Sequence, residues 1–358
     1  MRKNAGGRTA RAATRFFDAH CDAVLKVQDG RSDFVTGAGE GHVTLPGLRA
    51  AGVRVQVFAA FVLSERHPGR ERAAAEACLA AIRGLVDASG GAMRLVLSGS
   101  EVRAACEGGP IGALLALEGA DPLEGRPEAF EAFHRIGVRD LILAWKDNPF
   151  SGTAFGTDTP LTPAGCALVQ LAQDLGTMID VSHLSDNAFE DVARIARGPF
   201  IASHSDCRAL VPSLRNLTDR MIRKLADRGG VMGINLHAGF LDPARQEAEA
   251  RFGRDLEARG KTGREAEAER RRFAASFPRP PLDWVGRHVQ HAMEVGGEDC
   301  VGLGGDLDGT DYLPDAFEGV GDYPKLVDGL LEAGLTSSQV EKVAWRNFER
   351  VFCDVLPG

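Results

Sequence analysis

Short apolar runs that alternate with longer segments of helical spacing limit the fold of this chain more than any other feature. The runs predicted as strands lie at residues 14–20, 53–63, 111–119, 137–145, 176–183, 199–205, 230–237 and 300–309. Strands separated by helices form parallel βαβ units, and eight such strands close a (β/α)8 TIM barrel. An open doubly wound sheet is the alternative, although no GxGxxG motif follows the first strand, which disfavours its dinucleotide-binding form.

The length of 358 residues suggests two domains at about 150 residues each, but the predicted strands extend through nearly the whole chain. We therefore predict one α/β domain over residues 14–358, after a flexible N-terminal extension at 1–13. Residues 243–281, rich in Ala, Glu and Arg, are predicted as a helical insertion after strand 7. Their composition fits a solvated hairpin and fits equally a cap or oligomer contact at the rim, because loops after barrel strands leave from the catalytic face.

The charge and cysteine content exclude several classes of protein. A formal net charge of -8 argues against a nucleic-acid partner, since neutralising phosphates needs a basic face. No apolar run approaches 18 residues, so no membrane span is expected, and the first residues have no apolar core of a secretory signal. The seven scattered cysteines are typical of reduced thiols in a chain of this size. We therefore expect a cytoplasmic protein without a membrane partner.

Polar residues lie at the ends of most of the predicted strands, where an apolar run would otherwise continue. These residues are His20 and Asp22 at strand 1, Glu118 at strand 3, His183 at strand 5, His204 at strand 6, His237 at strand 7, and Asp306 and Asp308 at strand 8. Taken singly, each is most simply a hydrogen-bonded structural residue. In a barrel they gather at one mouth, and His237 is a candidate substrate contact there.

Imidazole and carboxylate groups in this combination are the ligands that zinc favours. Five protein ligands are too many for one catalytic zinc, but they fit two ions that share a carboxylate. His20 and Asp22 would then bind one ion, and His183 and His204 the other. Two such ions hold a bridging hydroxide and polarise a carbonyl, which leaves Asp306 as general base and general acid. A serine nucleophile is not supported, because the sequence has no GxSxG elbow.

Several motifs, in this order and at these spacings, resemble those of the membrane (renal) dipeptidase family of binuclear zinc peptidases, especially its bacterial members. They are FDAHCD, AGVRVQVFAAF, ALEGAD, GVRDLILAWKDN, GTMIDVSHLSD, FIASHSDCRAL followed by RNLTD, VGLGGDLDG and WRNFERVF. The resemblance runs from about residue 15 to the end. It implies a TIM barrel of the amidohydrolase type and two Zn²⁺ per chain, bridged by Glu118 and a water or hydroxide. The implied activity is hydrolysis of dipeptides with free termini (L-Xaa-L/D-Xaa).

The same resemblance implies further site residues. Arg215 in RNLTD would hold the free carboxylate of the substrate through its guanidinium fork. Trp145 stands where mammalian members carry a histidine that contacts the reacting oxygen, and Asn148 nearby would supply a hydrogen bond. Asp308, the second aspartate of GGDLDG, is a further expected substrate contact. Family members often form dimers, so a homodimer is possible.

Two alternatives remain beside the dipeptidase. Another binuclear amidohydrolase, such as a lactonase or a phosphotriesterase-like enzyme, usually bridges its metals with a carboxylated lysine, and Lys146 follows the fourth predicted strand. Glu118 already supplies a bridge, which disfavours that reading. A non-catalytic barrel would have lost ligands, and none is missing here.

Overall fold

Eight parallel strands close into a barrel in the computed structural model of the protein, which describes residues 15–310 and 312–358. The strands are β1 (Phe16–Cys21), β2 (Val53–Phe61), β3 (Ile111–Glu118), β4 (Val138–Ile142), β5 (Met178–Asp180), β6 (Ile201–Ala202), β7 (Val231–Ile234) and β8 (Val301–Leu303). Each strand pairs in parallel with the next, and β8 pairs with β1 to close the ring. The predicted (β/α)8 barrel is confirmed.

The barrel strands are buried on both faces, which is why they appear in the sequence as nearly continuous apolar runs. Every residue of β1, β3 and β4 is buried. Two glycines allow β6, β7 and β8 to approach each other closely. A Cβ at Gly233 or at Gly304 would overlap the carbonyl oxygen of Ser203, so only glycine fits at these positions.

The helices surround the barrel and connect its strands. They are α1 (Ala23–Gln28), α2 (Leu45–Ala51), α3 (Glu71–Ala88), α4 (Gly99–Cys106), α5 (Phe130–Ile136), α6 (Pro163–Asp174), α7 (Asp186–Ile195), α8 (Asp219–Asp227), α9 (Ala238–Leu241), α10 (Pro243–Ala258), α11 (Gly263–Ser276), α12 (Asp283–Gly296), α13 (Tyr323–Glu332), α14 (Ser337–Glu341) and α15 (Asn347–Val355). Short 3-10 turns lie at Ser64–Arg66, Asp121–Leu123, Pro127–Ala129 and Val320–Asp322, and a π-helical turn at Lys342–Arg346. Three of the α-helices, α6, α7 and α8, begin with a hydroxyl N-cap. The side chains of Thr162, Ser185 and Thr218 each accept a hydrogen bond from a backbone N–H in the first turn.

The structure adds elements that the sequence pattern did not predict. A short strand at Met93–Leu95 pairs with the beginning of β3, and Ser32–Asp33 pairs antiparallel with Ala38–Gly39. The predicted strand at 176–183 is limited to Met178–Asp180. These short segments carry too few residues for a periodicity to be visible in the sequence.

The region after β7 is helical, as predicted for residues 243–281, with α10 and α11 forming an antiparallel hairpin whose phenylalanine rings stack across it. One continuous apolar core joins the barrel to the outer helices. The predicted N-terminal extension at 1–13 lies outside the described residues. Among the residues that are described, no helix is both long and apolar enough to cross a membrane.

Candidate metal centre

The histidines and carboxylates predicted at the strand ends come together at the carboxyl-terminal mouth of the barrel. His20 lies within β1 and Asp22 directly follows that strand, while Glu118 is the last residue of β3. His183 and His204 lie in the turns that follow β5 and β6. Because the strands are parallel, these turns all open at the same end.

Glu118 lies at the centre of this cluster and is nearly buried, at 4% exposure. Its Oε2 is 3.5 Å from Nε2 of His20, and its Oε1 is 3.1 Å from Nε2 of His183 and 3.9 Å from Nε2 of His204. Nε2 of His20 also lies 3.5 Å from Oδ2 of Asp22. The two oxygens of this carboxylate therefore face different groups of donors: Oε2 faces His20, and Oε1 faces His183 and His204.

The donor atoms fit divalent metal ions. Three sets lie within 4.8 Å of one another, namely His20, Asp22 and Glu118; Glu118, His183 and His204; and His20, His204 and Asp306. Both ring nitrogens of His20 and Oδ1 of Asp22 are buried without a hydrogen-bond partner among the described residues. Nε2 of His183 lies 2.9 Å from Nε2 of His204. Unpaired buried donors that converge in this way are the chemistry that a metal ion satisfies.

Burial and mutual repulsion strongly perturb the titration of this cluster. Burial, with the neighbouring charge of Glu118, raises the pKa of Asp22 to about 7. Burial also raises the pKa of Asp306 to about 6, and Glu118 contributes in the same direction. Burial, together with the charge of Arg215, lowers the pKa of His183 to about 4. Two carboxyl groups with raised pKa values near an imidazole with a lowered pKa indicate a functional site.

Asp306 is positioned by an asparagine at the end of the neighbouring strand. Nδ2 of Asn235 donates to Oδ2 of Asp306 at 3.0 Å. Asp306 and His183 both adopt left-handed backbone conformations, with φ of 53° and 69°. Such conformations are uncommon for residues other than glycine and cluster at functional sites.

Arg215, predicted to hold a carboxylate, lies beside this cluster and is only 2% exposed. Its NH1 donates to Oγ of Ser205 and its NH2 to the carbonyl of His204, both at 2.7 Å. Its Nε has no partner among the described residues. The guanidinium is therefore held rigidly next to a predicted metal ligand, with donor capacity left over.

Trp145 and His237 also lie at the mouth. The ring of Trp145 is 40% exposed and packs 6.3 Å from the ring of His183. His237 is half-buried, and its Nδ1 lies 2.6 Å from Oγ1 of Thr310. Burial lowers the pKa of His237 to about 4.

Asn148 and Asp308, which were predicted to contact substrate, have polar atoms that are engaged with the backbone, and their contact with substrate stays a prediction. The amide of Asn148 donates to the carbonyl of Leu143 and accepts from two backbone N–H groups. The two oxygens of Asp308 accept from the backbone N–H groups of His42 and Val43, at 2.7 and 3.0 Å. Asp308 therefore ties the loop after β1 to the loop after β8, and Asn148 shapes the loop after β4.

Sequence reasoning did not single out three neighbours of the site. Asn235 holds Asp306, Oγ of Ser203 lies 2.7 Å from Nδ1 of His204, and a Cβ at Gly309 would overlap both Asp306 and Asp22. Asn235 ends its strand as the predicted ligands do, so that signal was available. Gly309 is the last glycine of the GGDLDG motif and could be recognised in the sequence. Its closeness to Asp22 could not be predicted, because it results from the pairing of β8 with β1.

Eight parallel strands around a buried histidine and carboxylate cluster at their carboxyl ends define a metallohydrolase of the TIM-barrel class. The model of one family, described as membrane dipeptidase (peptidase family M19), matches residues 8–356, and the chain belongs to this family. It is accordingly a metallo-dipeptidase, and the resemblance drawn from its motifs is confirmed.

Individual relatives agree with this assignment. The chain is 32% identical over 285 residues, 77% of its length and 94% of the relative's, to an uncharacterised protein in the pqqA 5′ region of Klebsiella pneumoniae. It is 28% identical over 247 residues to an uncharacterised dipeptidase of Schizosaccharomyces pombe, covering 68% of this chain and 53% of that protein. A metallopeptidase from Rhodobacter sphaeroides, solved with a phosphinate mimic of the dipeptide L-Ala-D-Ala, shares the fold with a TM-score of 0.81 at 24% identity, over 96% of this chain and 99% of that one.

Proposed function

We propose that this protein is a zinc-dependent dipeptidase that hydrolyses the peptide bond of dipeptides with free amino and carboxyl termini. The observation that carries the proposal is the position of Glu118 between two histidine-containing groups, with Asp306 and the buried Arg215 beside them. A bridging carboxylate, a group for proton transfer and a carboxylate-binding guanidinium are the parts that such a reaction needs.

His20 and Asp22 would hold one Zn²⁺, His183 and His204 the other, and Glu118 both. When bound, two such ions supply Lewis-acid polarisation of a carbonyl and a nucleophile at neutral pH. The buried imidazole of His20, whose ring nitrogens have no hydrogen-bond partner among the described residues, fits this role, because imidazole nitrogens and carboxylates are the preferred zinc ligands.

Asp306 would move the proton. Its carboxyl is fixed by Asn235 through one oxygen, which leaves the other oxygen for the substrate. A carboxyl group with a raised pKa accepts a proton from the attacking water and returns it to the leaving amine. The side chain therefore serves as base and then as acid within one turnover.

Arg215 would bind the carboxylate of the substrate and so select dipeptides over longer peptides. Its NH1 and NH2 already bond Ser205 and the His204 carbonyl, so the fork is fixed before the substrate arrives. A preorganised donor loses less entropy on binding. A longer peptide has an amide in place of that carboxylate, and the charge and the unpaired Nε of Arg215 would then have no anionic partner.

The test combines metal analysis with a substrate panel. Purified protein should retain about two zinc ions per chain and cleave L,L and L,D dipeptides, whereas the C-terminal amides of the same dipeptides should be poor substrates. Protein that holds zinc but cleaves no dipeptide of the panel would disprove the proposal.

Two alanine variants separate the proposal from a lactonase-like site with a carboxylated lysine. Nζ of Lys146 bonds Oε1 of Glu65 at the surface, at 2.6 Å, so Lys146→Ala should keep both metal and activity. Glu118→Ala should lose metal and activity. The reverse pattern would favour the lysine-bridged class.

A further inference from the structure

A cavity of about 330 Å³ lies between the α10–α11 hairpin and the mouth of the barrel. Its lining residues are His237, Glu249, Phe252, Arg270, Phe273, Ala274 and Tyr312. Five of the seven come from the hairpin and two from the loops after β7 and β8. The hairpin is therefore a wall of a cavity at the rim, not only a solvated surface feature.

The cavity adjoins the proposed catalytic residues through short connections. The backbone N–H of His237 donates to Oδ1 of Asn235 at 2.7 Å, and Nδ2 of Asn235 donates to Asp306. The ring of Phe240 lies 4.5 Å from that of His237 and 6.0 Å from the guanidinium of Arg215. His237 lines the cavity, and together with Phe240 it therefore connects the cavity to the groups that would hold a dipeptide.

Aromatic rings form its walls. Phe252 and Phe273 stack with their centroids 4.3 Å apart and an interplanar angle of 7°. The rings of His237 and Tyr312 lie 6.2 Å apart on the barrel side. Such walls favour the methylene groups of a substrate side chain, because burying each removes apolar surface from water.

The charge of the cavity is positive. The carboxylate of Glu249 is paired with Nε of Arg245, whereas Arg270 forms no ion pair with any residue that the structure describes. Glu249 is thereby neutralised, and the guanidinium of Arg270 is left to attract an anion. Arginine is suited to this task because its planar fork binds a carboxylate through two hydrogen bonds.

A second cavity of about 390 Å³ shares Ala274 and Tyr312 with the first. Arg245 lines it at only 1% exposure, and its NH2 has no partner among the described residues. Its guanidinium is held between the rings of Phe277 and Tyr312, each at 5.2 Å. The charge of Arg245 is paired with Glu249, but its NH2 is left without an acceptor, and because an unpaired buried donor is costly, a hydrogen-bond acceptor is favoured on this side as well.

We propose that the cavity beneath the hairpin is a side-chain subsite that favours a dipeptide with an acidic side chain, and that Arg270 is its specificity-determining residue. The inference rests on the proposed dipeptidase function. The methylenes of the side chain would lie against the aromatic rings that line the cavity, and its carboxylate would pair with Arg270. Residues 243–281 would thus set the substrate preference of a barrel whose catalytic groups come from its strands.

The test compares glutamate with its neutral isostere glutamine. Steady-state kcat/KM is measured for Ala-Glu and Ala-Gln, and for Glu-Ala and Gln-Ala, with the wild-type zinc enzyme. We expect glutamate to be preferred about tenfold in one of the two series, which corresponds to about 1.4 kcal/mol for a charge-assisted pair. Arg270→Gln should abolish that preference, while Arg272→Gln, an exposed arginine of the same helix, should retain it.

A binding measurement keeps this inference separate from the proposed function. Calorimetric titration with phosphinate analogues of the same four dipeptides gives the glutamate preference without turnover. Equal affinity and equal kcat/KM for glutamate and glutamine in both series, or a preference that survives Arg270→Gln, overturns the subsite. Failure to cleave any dipeptide overturns the function, and the titration still decides whether Arg270 selects an acidic side chain.

Discussion

Gly309 lies so close to two carboxylates of the metal centre that a single added carbon atom, a Cβ, would not fit there. A Cβ built there would overlap Oδ1 of Asp306 and Oδ2 of Asp22, so the hydrogen of glycine leaves the space in which these two carboxylates meet. We predict that Gly309→Ala displaces both and lowers kcat/KM by at least about 100-fold, since small displacements of reacting groups cost that much. Zinc content should fall with it, as measured by elemental analysis of the dialysed protein.

A matched glycine distinguishes this effect from a general loss of fold. Gly198 precedes β6 and has open space around its hypothetical Cβ, so Gly198→Ala should retain both zinc and activity. The circular dichroism spectra of the two variants should match that of the wild type. Full activity in Gly309→Ala would show that Asp306 and Asp22 tolerate a shift.

His288 illustrates how a helix is fastened to the barrel. Its Nδ1 accepts from the backbone N–H of Cys207 at 3.1 Å, and its Nε2 donates to the carbonyl of Leu241 at 3.0 Å. Helix α12 is thereby joined to the loop after β6 and to α9, which precedes the hairpin. The bond that Nδ1 accepts from Cys207 requires the neutral imidazole, because both nitrogens of a protonated ring are donors.

Burial lowers the pKa of His288 to about 4, below the value of about 6.5 in an unfolded chain. The unfolded state therefore binds the proton more tightly, and the contribution of His288 to stability is complete above pH 6.5 and lost as the pH falls toward 4. We predict that the free energy of unfolding of the wild type decreases by about 3 kcal/mol more than that of His288→Gln between pH 7 and 4. Urea titrations at a series of pH values measure this difference.

The corresponding change at His67, in the loop after β2, is the control for this experiment. His67→Gln changes a partly exposed side chain and leaves His288 in place, so the loss of stability attributed to His288 should remain. If His288→Gln showed the same slope as the wild type, the imidazole would not be held neutral in the fold.

At the level of elements, the sequence predicts the strands and helices that have a periodic apolar pattern. It does not predict contacts between side chains and loops that are distant in the sequence. The eight barrel strands and the helical insertion follow from apolar runs and helical spacing, and polar strand ends locate His20, Glu118 and His204. The engagement of Asp308 with the backbone of residues 42 and 43 could not be predicted, because it joins loops that are 265 residues apart. Side chains at strand ends look alike in a sequence, whether they face a ligand or hold a loop.

The whole molecule brings its site together from nearly the full length of the chain, from His20 in the first strand to Asp306 after the last. We propose that residues 14–358 form one domain, since the core is continuous from Phe17 to Phe348 and Phe352, whose rings stack on it at 5.6 and 5.2 Å. A barrel closed by pairing of its first and last strands gains stability only when all strands are present. Metal binding at the mouth should therefore stabilise the molecule as one unit.

Removal of metal tests this coupling between the site and the fold. Glu118 and Asp22 are buried beside one another, and burial with like charge raises the pKa of Asp22, so bound cations should offset a large part of this destabilisation. Ligand binding to the folded state alone contributes about 4 kcal/mol at 1,000 times Kd, so chelation should lower Tm by at least about 5 °C in a single transition. Returning Zn²⁺ should restore it. Glu118→Gln, which removes the shared charge, should respond to neither treatment, and a wild-type Tm that is insensitive to chelator and zinc would contradict metal binding at this cluster.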